Sequence, residues 1–571
     1  MAVAAAGFRA ERKGFDGELL LLAVVAAYIL AFCVLPLARL FGELLVAAEP
    51  LGLIGEIWSS RSARRATWHT LEASLGATAI SLLLGTVMAL LLGLTDVRLK
   101  AVLAFLLLLP LLIPPQITAL AWLELLGPSS PVLTALGLAP PPGTRNPLYS
   151  REGIMLIMGI EHATIVFLAV RAGLRGVPRE LVEAARIAGA GPLRIVASVV
   201  LPLLRPALVA GGALAFVSAI GNFGVPALLG IPGRYPMLTT LIYQRLNGFG
   251  PSVLGEVAAL AMILALMAAA GLGLQAIALR RQRMDVDRTS GSASWFPLGG
   301  WRPAVEAALW AALLLLAIAP LCALVATSLV RALGLPLTPE TVTLDHYAYA
   351  LFGHQGTQRA FVNSFFLALG AALAALAVCV PLAYFIVCRR LRLARALDLV
   401  ADAPYALPGI VLAIAVILVF LKPLPLLGIS LYGTFWIILV AYFGRFLALC
   451  LRPTIAGLQQ LDRALEEAAQ VAGAGSVRRL ATVVLPLLAP AAAAGALLVF
   501  MGAFNELTVS ALLWSTGNET LGVVVFTLAD EGNSTAAAAV AVLTVIATLA
   551  LALVASVVAR RLPQGVLPWQ A

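Results

Sequence analysis

Polar side chains inside long apolar runs are the residues of this sequence that can do chemistry. Glu161 and Arg445 each stand in such a run and lie 284 positions apart, the offset that relates two similar parts of the chain. A charge at the centre of a membrane helix costs about 2.5 to 3.5 kcal/mol on insertion scales. We therefore expect Glu161 and Arg445 to meet as an interhelical ion pair. The alternative is that Glu161 pairs locally with His162 or reaches a lipid headgroup.

Asn222, Asn505 and Glu506 form a second polar group, at the ends of two later apolar runs. Asn222 aligns with Glu506 at the same offset. Their side chains either line a path for a solute, in which Glu506 attracts a cation, or cap helix ends at the external surface. The sequence leaves both interpretations open.

Covalent catalysis is not indicated, because no nucleophile, base and orienting group can be assigned together. The three lysines, Lys13, Lys100 and Lys422, are followed by Gly, Ala and Pro, whereas a phosphate-binding P-loop ends in Gly-Lys-Ser or Gly-Lys-Thr. Four histidines are scattered, and five cysteines lie in or beside apolar runs without metal-ligand spacing. We predict no catalytic residue, no metal site and no bound cofactor, so any ATP and Mg²⁺ must be held by a separate protein.

Composition places the chain in a lipid bilayer. Of its 571 residues, 61% are hydrophobic and 12% are charged, and the mean hydropathy is +1.00, whereas soluble domains carry about 25% charged residues. A helix of about 20 apolar residues crosses the hydrocarbon core. About twelve segments are long enough, near 19–41, 70–94, 101–126, 153–174, 203–222, 253–279, 303–330, 363–387, 398–421, 433–451, 487–512 and 536–559. The predicted fold class is an all-α membrane protein.

The net charge of +10 reflects membrane topology. Lys and Arg are dispersed among the loops instead of being gathered on one domain, so we predict no nucleic-acid partner. The loops on one side hold most of them, and the positive-inside rule places this side in the cytoplasm. The first apolar run follows Arg9, Arg12 and Lys13 without a convincing cleavage site, and we interpret it as an uncleaved span. Both chain ends are then cytoplasmic.

Two similar halves make up the chain. The first six-helix repeat is 1–279, a polar linker is 280–302, and the second six-helix repeat is 303–571. Because each half has an even number of spans, both enter the membrane from the same side, and the repeats are parallel.

Matching prolines interrupt the third and ninth spans. Pro110 and Pro114 align with Pro404 and Pro408 at an offset of 294. Proline lacks the N–H of an internal helical hydrogen bond and clashes with the preceding turn. We expect these prolines to kink both spans.

The clearest internal repeat is a short polar loop. The first repeated loop, Glu183–Pro202, and the second repeated loop, Glu467–Pro486, agree at 13 of 20 positions. Each contains a Gly-Ala-Gly break, which predicts two short helices joined by a sharp turn. After the first break, Leu193, Val196 and Val200 have the spacing of one apolar helix face. Both loops lie on the predicted cytoplasmic side.

This loop resembles the EAA loop in the permease subunits of ABC importers. The residues that carry the resemblance, and that it implies couple the permease to an ATPase, are Glu183, Ala184, Ala185, Gly189, Ala190, Gly191, Pro202, Glu467, Ala468, Ala469, Gly473, Ala474, Gly475 and Pro486. The resemblance implies the type I ABC importer permease fold in a bacterial inner membrane. It also implies two copies of an ABC ATPase below the membrane and a substrate-binding protein on the external face.

A second resemblance concerns the cargo. The segments Gly221–Arg245 and Phe504–Leu528 are similar to the fused permeases of ferric-iron importers. Ferric iron is therefore the expected solute, and thiamine, a polyamine or an oxyanion is the alternative within ABC importers. An ion-gradient-driven secondary transporter is the alternative of another class, since a parallel repeat suits it although the duplicated loop does not. A membrane-embedded enzyme is a third and more distant reading.

Overall fold

The computed structural model describes residues 17–46, 55, 57–141, 143–280, 296–423 and 428–559. Most of the predicted linker and both chain ends lie outside these residues. Within them, extended backbone pairs only at two isolated bridges, Thr95 with Phe296 and Val330 with Val342. The described chain is otherwise helices and their connections, as hydropathy predicts.

Helices of the first half follow the predicted spans and the first repeated loop. They are α1 (Gly17–Glu43), α2 (Arg61–Leu94), α3 (Lys100–Leu112), α4 (Pro115–Leu126), α5 (Pro131–Ala135), α6 (Arg151–Leu174), α7 (Arg179–Ile187), α8 (Pro192–Leu203), α9 (Arg205–Gly221), α10 (Leu238–Phe249) and α11 (Leu254–Leu279).

The second half repeats this order. Its helices are α12 (Gly299–Leu329), α13 (Gln355–Val387), α14 (Arg392–Ala406), α15 (Gly409–Phe420), α16 (Phe435–Gln459), α17 (Arg463–Val471), α18 (Ser476–Arg479), α19 (Leu480–Phe504), α20 (Ser510–Leu513), α21 (Leu521–Asp530) and α22 (Ser534–Ala559). Among the described residues, nine helices are long and apolar enough to cross a membrane, and three bent pairs bring the number to as many as twelve. The prediction of about twelve spans is confirmed.

The predicted proline kinks are full breaks beside Pro114 and Pro408, whereas Pro110 and Pro404 lie within α3 and α14. The axis of α3 differs by 106° from that of Pro115–Ala135, which comprises α4 and α5, and the axes of α14 and α15 differ by 108°. Pro114 and Pro408 occupy the N-cap positions of α4 and α15. A residue that precedes proline is also pushed out of the helical region, which explains why both breaks fall beside these prolines. The third bend, 69° between α8 and α9, was not predicted.

The helices form two compact units that differ from the sequence halves. One consists of Met1–Pro50, Gly356–Val523 and Ile546–Ala571, and the other of Leu51–Gln355 and Val524–Val545. We call them the first unit and the second unit. Each unit contains the first span of the other half. In the first unit, Tyr28 of α1 donates a hydrogen bond to the carbonyl oxygen of Phe443 at 2.9 Å.

Close helix contacts hold the second unit together. Ser81 of α2 donates its hydroxyl hydrogen to the carbonyl oxygen of Gly159 in α6 at 2.9 Å. A Cβ atom at Gly85 would lie 2.5 Å from the carbonyl oxygen of Ala163. Small residues let helices in a membrane approach closely and bond across their backbones. The α2–α6 pair depends on this approach.

Candidate functional site

Both repeated loops fold as predicted, with a short helix on each side of a glycine turn. In the first, α7 ends at Ile187 and α8 begins at Pro192. In the second, α17 ends at Val471 and α18 begins at Ser476. The two copies therefore share secondary structure as well as sequence.

The spacing of the EAA motif corresponds to a helix stop signal. Gly189 has a φ of +79°, and its N–H donates to Arg186 at 2.9 Å, while the N–H of Ala190 donates to Ala185 at 3.0 Å. These two bonds form a Schellman motif at the end of α7. In this motif the residue four positions after Ala185, which is Gly189, takes the left-handed conformation. Gly473, with a φ of +83°, ends α17 with the same two bonds. Of the two glycines in the first break, only Gly189 is left-handed, because Gly191 has a φ of −69°.

The outer surface of each loop carries apolar side chains that the sequence did not single out. Ile187 is 88% exposed, and Val471, its counterpart, is 90% exposed. Leu193 is 86% exposed. The prediction that Leu193, Val196 and Val200 form one apolar face is therefore wrong for Leu193. Ile195 is buried in place of Leu193. Single exposed apolar side chains are normal on a protein surface, so what distinguishes Ile187 and Val471 is that they recur at equivalent positions of the two loops.

The motif residues themselves lie at the loop surface in both copies. Glu183, Ala184 and Gly189 are exposed, whereas Ala185 and Ala190 are half-buried, and the second loop repeats this pattern. Glu183 forms an ion pair with Arg179 at 2.7 Å. Surface ion pairs contribute little stability, so Glu183 remains available to a partner.

The second unit contains a buried polar cluster around Glu161. The amide nitrogen of Asn222 donates to Glu161 Oε2 at 3.1 Å, and His162 Nε2 lies 3.8 Å from Glu161 Oε1. Asn222 Oδ1 accepts the backbone N–H of Val225 at 3.1 Å. Asn222 therefore caps the start of the helical segment at 224–233, and its predicted place in a solute path stays a prediction.

The first unit contains the equivalent cluster with different chemistry. Glu506 accepts the backbone N–H groups of Val509 at 2.7 Å and Ser510 at 3.0 Å, so it caps α20 as Asn222 caps its own segment. Arg445 donates to the carbonyl oxygen of Leu407 at 3.0 Å, at the break between α14 and α15. Asn505 accepts a hydrogen bond from Thr548 at 3.0 Å. Each of these contacts lies within one unit, and the ion pair of Arg445 with Glu161 stays a prediction.

Both clusters lie against the proline breaks. A Cβ atom at Gly224 would be 2.8 Å from the backbone nitrogen of Gln116 at the start of α4, and one at Gly409 would be 3.1 Å from Thr508. Gly224 and Thr508 are equivalent at the offset of 284. In each unit, the segment that follows the helix after the repeated loop, α9 or α19, thus packs directly on a broken span. Broken helices near the middle of a membrane are where transporters place solute sites.

A cavity of about 460 Å³ lies in the second unit at the end of α4, on the predicted external side. Its charged lining residues are Glu124, Arg145 and Asp530, and Tyr149 adds a phenol. Glu124 is 7% exposed and accepts a hydrogen bond from Thr327 at 3.1 Å. Glu124 is not among the predicted site residues, although a carboxylate inside the third apolar run is a visible signal in the sequence. The described residues contain no group of three His, Cys, Asp or Glu side chains placed to hold a metal ion.

Comparisons with known proteins agree with this architecture. The chain is 28% identical over 563 residues to y4fN of Sinorhizobium fredii, a probable ABC transporter permease, covering 96% of each protein. It is 26% identical over 422 residues to the ferric transport system permease FbpB of Actinobacillus pleuropneumoniae, covering 71% of this chain and 58% of that one. PhnV of Salmonella typhimurium, whose name assigns it to 2-aminoethylphosphonate transport, is 28% identical over 228 residues, covering 40% of this chain and 84% of PhnV.

The family model described as "Binding-protein-dependent transport system inner membrane component" matches residues 81–284 and 389–567. Each match contains one repeated loop and one span that is broken beside a proline, Pro114 or Pro408. The duplicated match corresponds to the two sequence halves. The chain therefore belongs to this family, as a permease subunit of an ABC importer with two copies of the family domain fused in one polypeptide.

Proposed function

We propose that the chain binds one ABC ATPase at each repeated loop and passes a solute, released by an external binding protein, into the cytoplasm. Both chain ends lie in the cytoplasm in this arrangement, and Asn222, Asn505 and Glu506 line the path. The ATPases supply the energy, and the permease performs no covalent chemistry.

One observation carries this proposal. Two loops that agree at 13 of 20 positions have the same helix-turn-helix fold, and each exposes an apolar side chain at the equivalent position, Ile187 or Val471. Keeping such a side chain exposed forgoes the free energy of burial, about 25 cal/mol per Å² of apolar surface. A partner that covers it recovers that free energy, and the repeat provides for two copies of one partner.

Copurification tests the partner and its stoichiometry. The full-length tagged chain, coexpressed with its ATPase, should retain two ATPase copies. Ile187→Asp and Val471→Asp should each remove one copy, and the double variant both. The control is Arg331→Asp, which changes a residue on the predicted external side. Leu214→Asp would not serve, because it would place a charge in the membrane. Retention of two copies by the double aspartate variant would contradict the proposal.

We infer that the cargo is ferric iron. The relative FbpB is named as a ferric transport permease. The cavity beside α4 offers the carboxylates of Glu124 and Asp530 and the phenol of Tyr149, and hard cations prefer oxygen donors. Proteoliposomes that contain the complete complex should import radioactive ferric iron from its binding protein, and Glu124→Gln should lower the rate.

A second cargo is favoured by the same cavity, because it also contains Arg145. A guanidinium suits a phosphonate or phosphate group, and the relative PhnV is named for 2-aminoethylphosphonate transport. Import of this compound in place of iron, with a loss on Arg145→Ala, would identify the phosphonate as the cargo and exclude iron.

A further inference from the structure

The two repeated loops are fastened to their units by opposite kinds of contact. In the first, Val182 and Ile195 are buried in one apolar cluster of the second unit. At the offset of 284, their counterparts are Glu466 and Arg479. Arg479 is 4% exposed, and its Nε lies 3.6 Å from Glu466 Oε1. An ion pair between a buried arginine and a half-buried glutamate therefore stands where the first loop has two aliphatic side chains.

A third residue takes part in the contacts of each loop. Tyr384, near the end of α13, donates its hydroxyl hydrogen to Glu466 Oε1 at 2.9 Å. At the offset of 294 its counterpart is Leu90 of α2, which packs against the apolar cluster of the first loop. At three equivalent positions, the contacts of the first loop thus use the aliphatic side chains Val182, Ile195 and Leu90, and those of the second loop use hydrogen-bonding side chains.

Arg479 also reaches the glycine turn. Its Nη1 donates to the carbonyl oxygen of Ala474 at 3.5 Å, inside the Gly-Ala-Gly break. A cavity of about 80 Å³ borders Glu466 and Leu487, which is room for water beside the carboxylate. The network therefore joins α17, the glycine turn, α18 and the end of α13.

We propose that Glu466, Arg479 and Tyr384 are positioning residues that hold the second repeated loop against α13. At the first repeated loop, aliphatic packing has this role. This proposal rests on the proposed function of the loops as ATPase sites. A buried charge whose partner is removed is strongly unfavourable, whereas replacing both charges by apolar residues of similar size is tolerated. The first loop shows which apolar pair suits the site.

The stoichiometry of bound ATPase tests the proposal on the full chain. Glu466→Val and Arg479→Ile should each reduce the ATPase that copurifies with the wild type from two copies to one, because the first loop stays intact, and should lower substrate import at least tenfold. The double variant E466V/R479I, which copies the first loop at two of these three positions, should recover the second copy and most of the import. Global destabilisation would instead reduce the amount of permease without selecting one loop.

Tyr384→Phe is the conservative variant, since it removes one hydroxyl group and keeps the ring. It should weaken binding of the second ATPase several-fold at normal membrane levels, and it gives a result even where the single charge variants fail to fold. Two bound copies in all single variants, or a double variant as defective as the singles, would overturn the proposal. Absence of ATPase from the wild-type chain would refute the proposed function of the loops, and this inference with it.

Discussion

Alanine at the first glycine of each Gly-Ala-Gly break should damage coupling, whereas alanine at the second should not. Gly189 and Gly473 have φ values of +79° and +83°. A residue with a Cβ atom in this left-handed region costs about 1 to 2 kcal/mol. No atom lies within 4 Å of a Cβ placed at either position, so the penalty comes from the backbone alone. A cost of this size changes the ratio of native to altered turn by a factor of about 5 to 30.

Gly191 provides a matched control two residues away. Its φ is −69°, and a Cβ atom there would also meet nothing within 4 Å. Replacing glycine by alanine at a compatible position stabilises a protein by about 0.4 to 1 kcal/mol, because the unfolded chain loses freedom. Gly191→Ala should therefore be neutral or mildly stabilising, the opposite sign to Gly189→Ala.

Substrate import and ATP hydrolysis by the reconstituted complex distinguish the two variants. Gly189→Ala with Gly473→Ala should lower import by about 5-fold or more while the permease stays in the membrane, as the strain of about 1 to 2 kcal/mol per turn requires. Gly189→Asn should be milder, because asparagine accepts the left-handed conformation better than alanine. Equal losses from Gly189→Ala and Gly191→Ala would refute the reasoning from backbone conformation.

Three further predictions follow from packing and polar contacts. Gly85→Ala should destabilise the permease, because its Cβ would lie 2.5 Å from a carbonyl oxygen of α6, whereas the Cβ of Gly42→Ala would meet nothing within 4 Å. Thermal unfolding in detergent compares the two variants. Equal melting temperatures would contradict the α2–α6 contact. Asn222→Ala should cost about 1 kcal/mol through the lost cap, measured in the same assay against Asn222→Ser, which keeps an acceptor for the Val225 N–H without placing a second carboxylate beside Glu161. Reversing the charge of Glu161 or Arg445 alone should abolish import, and reversing both should restore it; a double variant as inactive as the singles would exclude the predicted ion pair.

Features that depend on local sequence were predictable from it. The number of spans follows from hydropathy, because a helix in a membrane satisfies its backbone hydrogen bonds internally. The breaks at Pro114 and Pro408 follow from the missing N–H of proline. The helix-turn-helix form of the repeated loops follows from the positions of Gly189 and Gly473, since a Schellman stop is encoded within six residues.

Contacts between distant positions required the tertiary structure. Hydropathy does not show that α1 packs with the spans of the other half, because any apolar helix suits a membrane equally well. It also does not show that Ile195, and not Leu193, turns inward, since helical spacing alone does not fix which face of α8 meets the core. The differences between the two loops at Ile195 and Arg479 are visible in the sequence, but only the burial of Arg479 beside Glu466 and Tyr384 gives them a physical meaning.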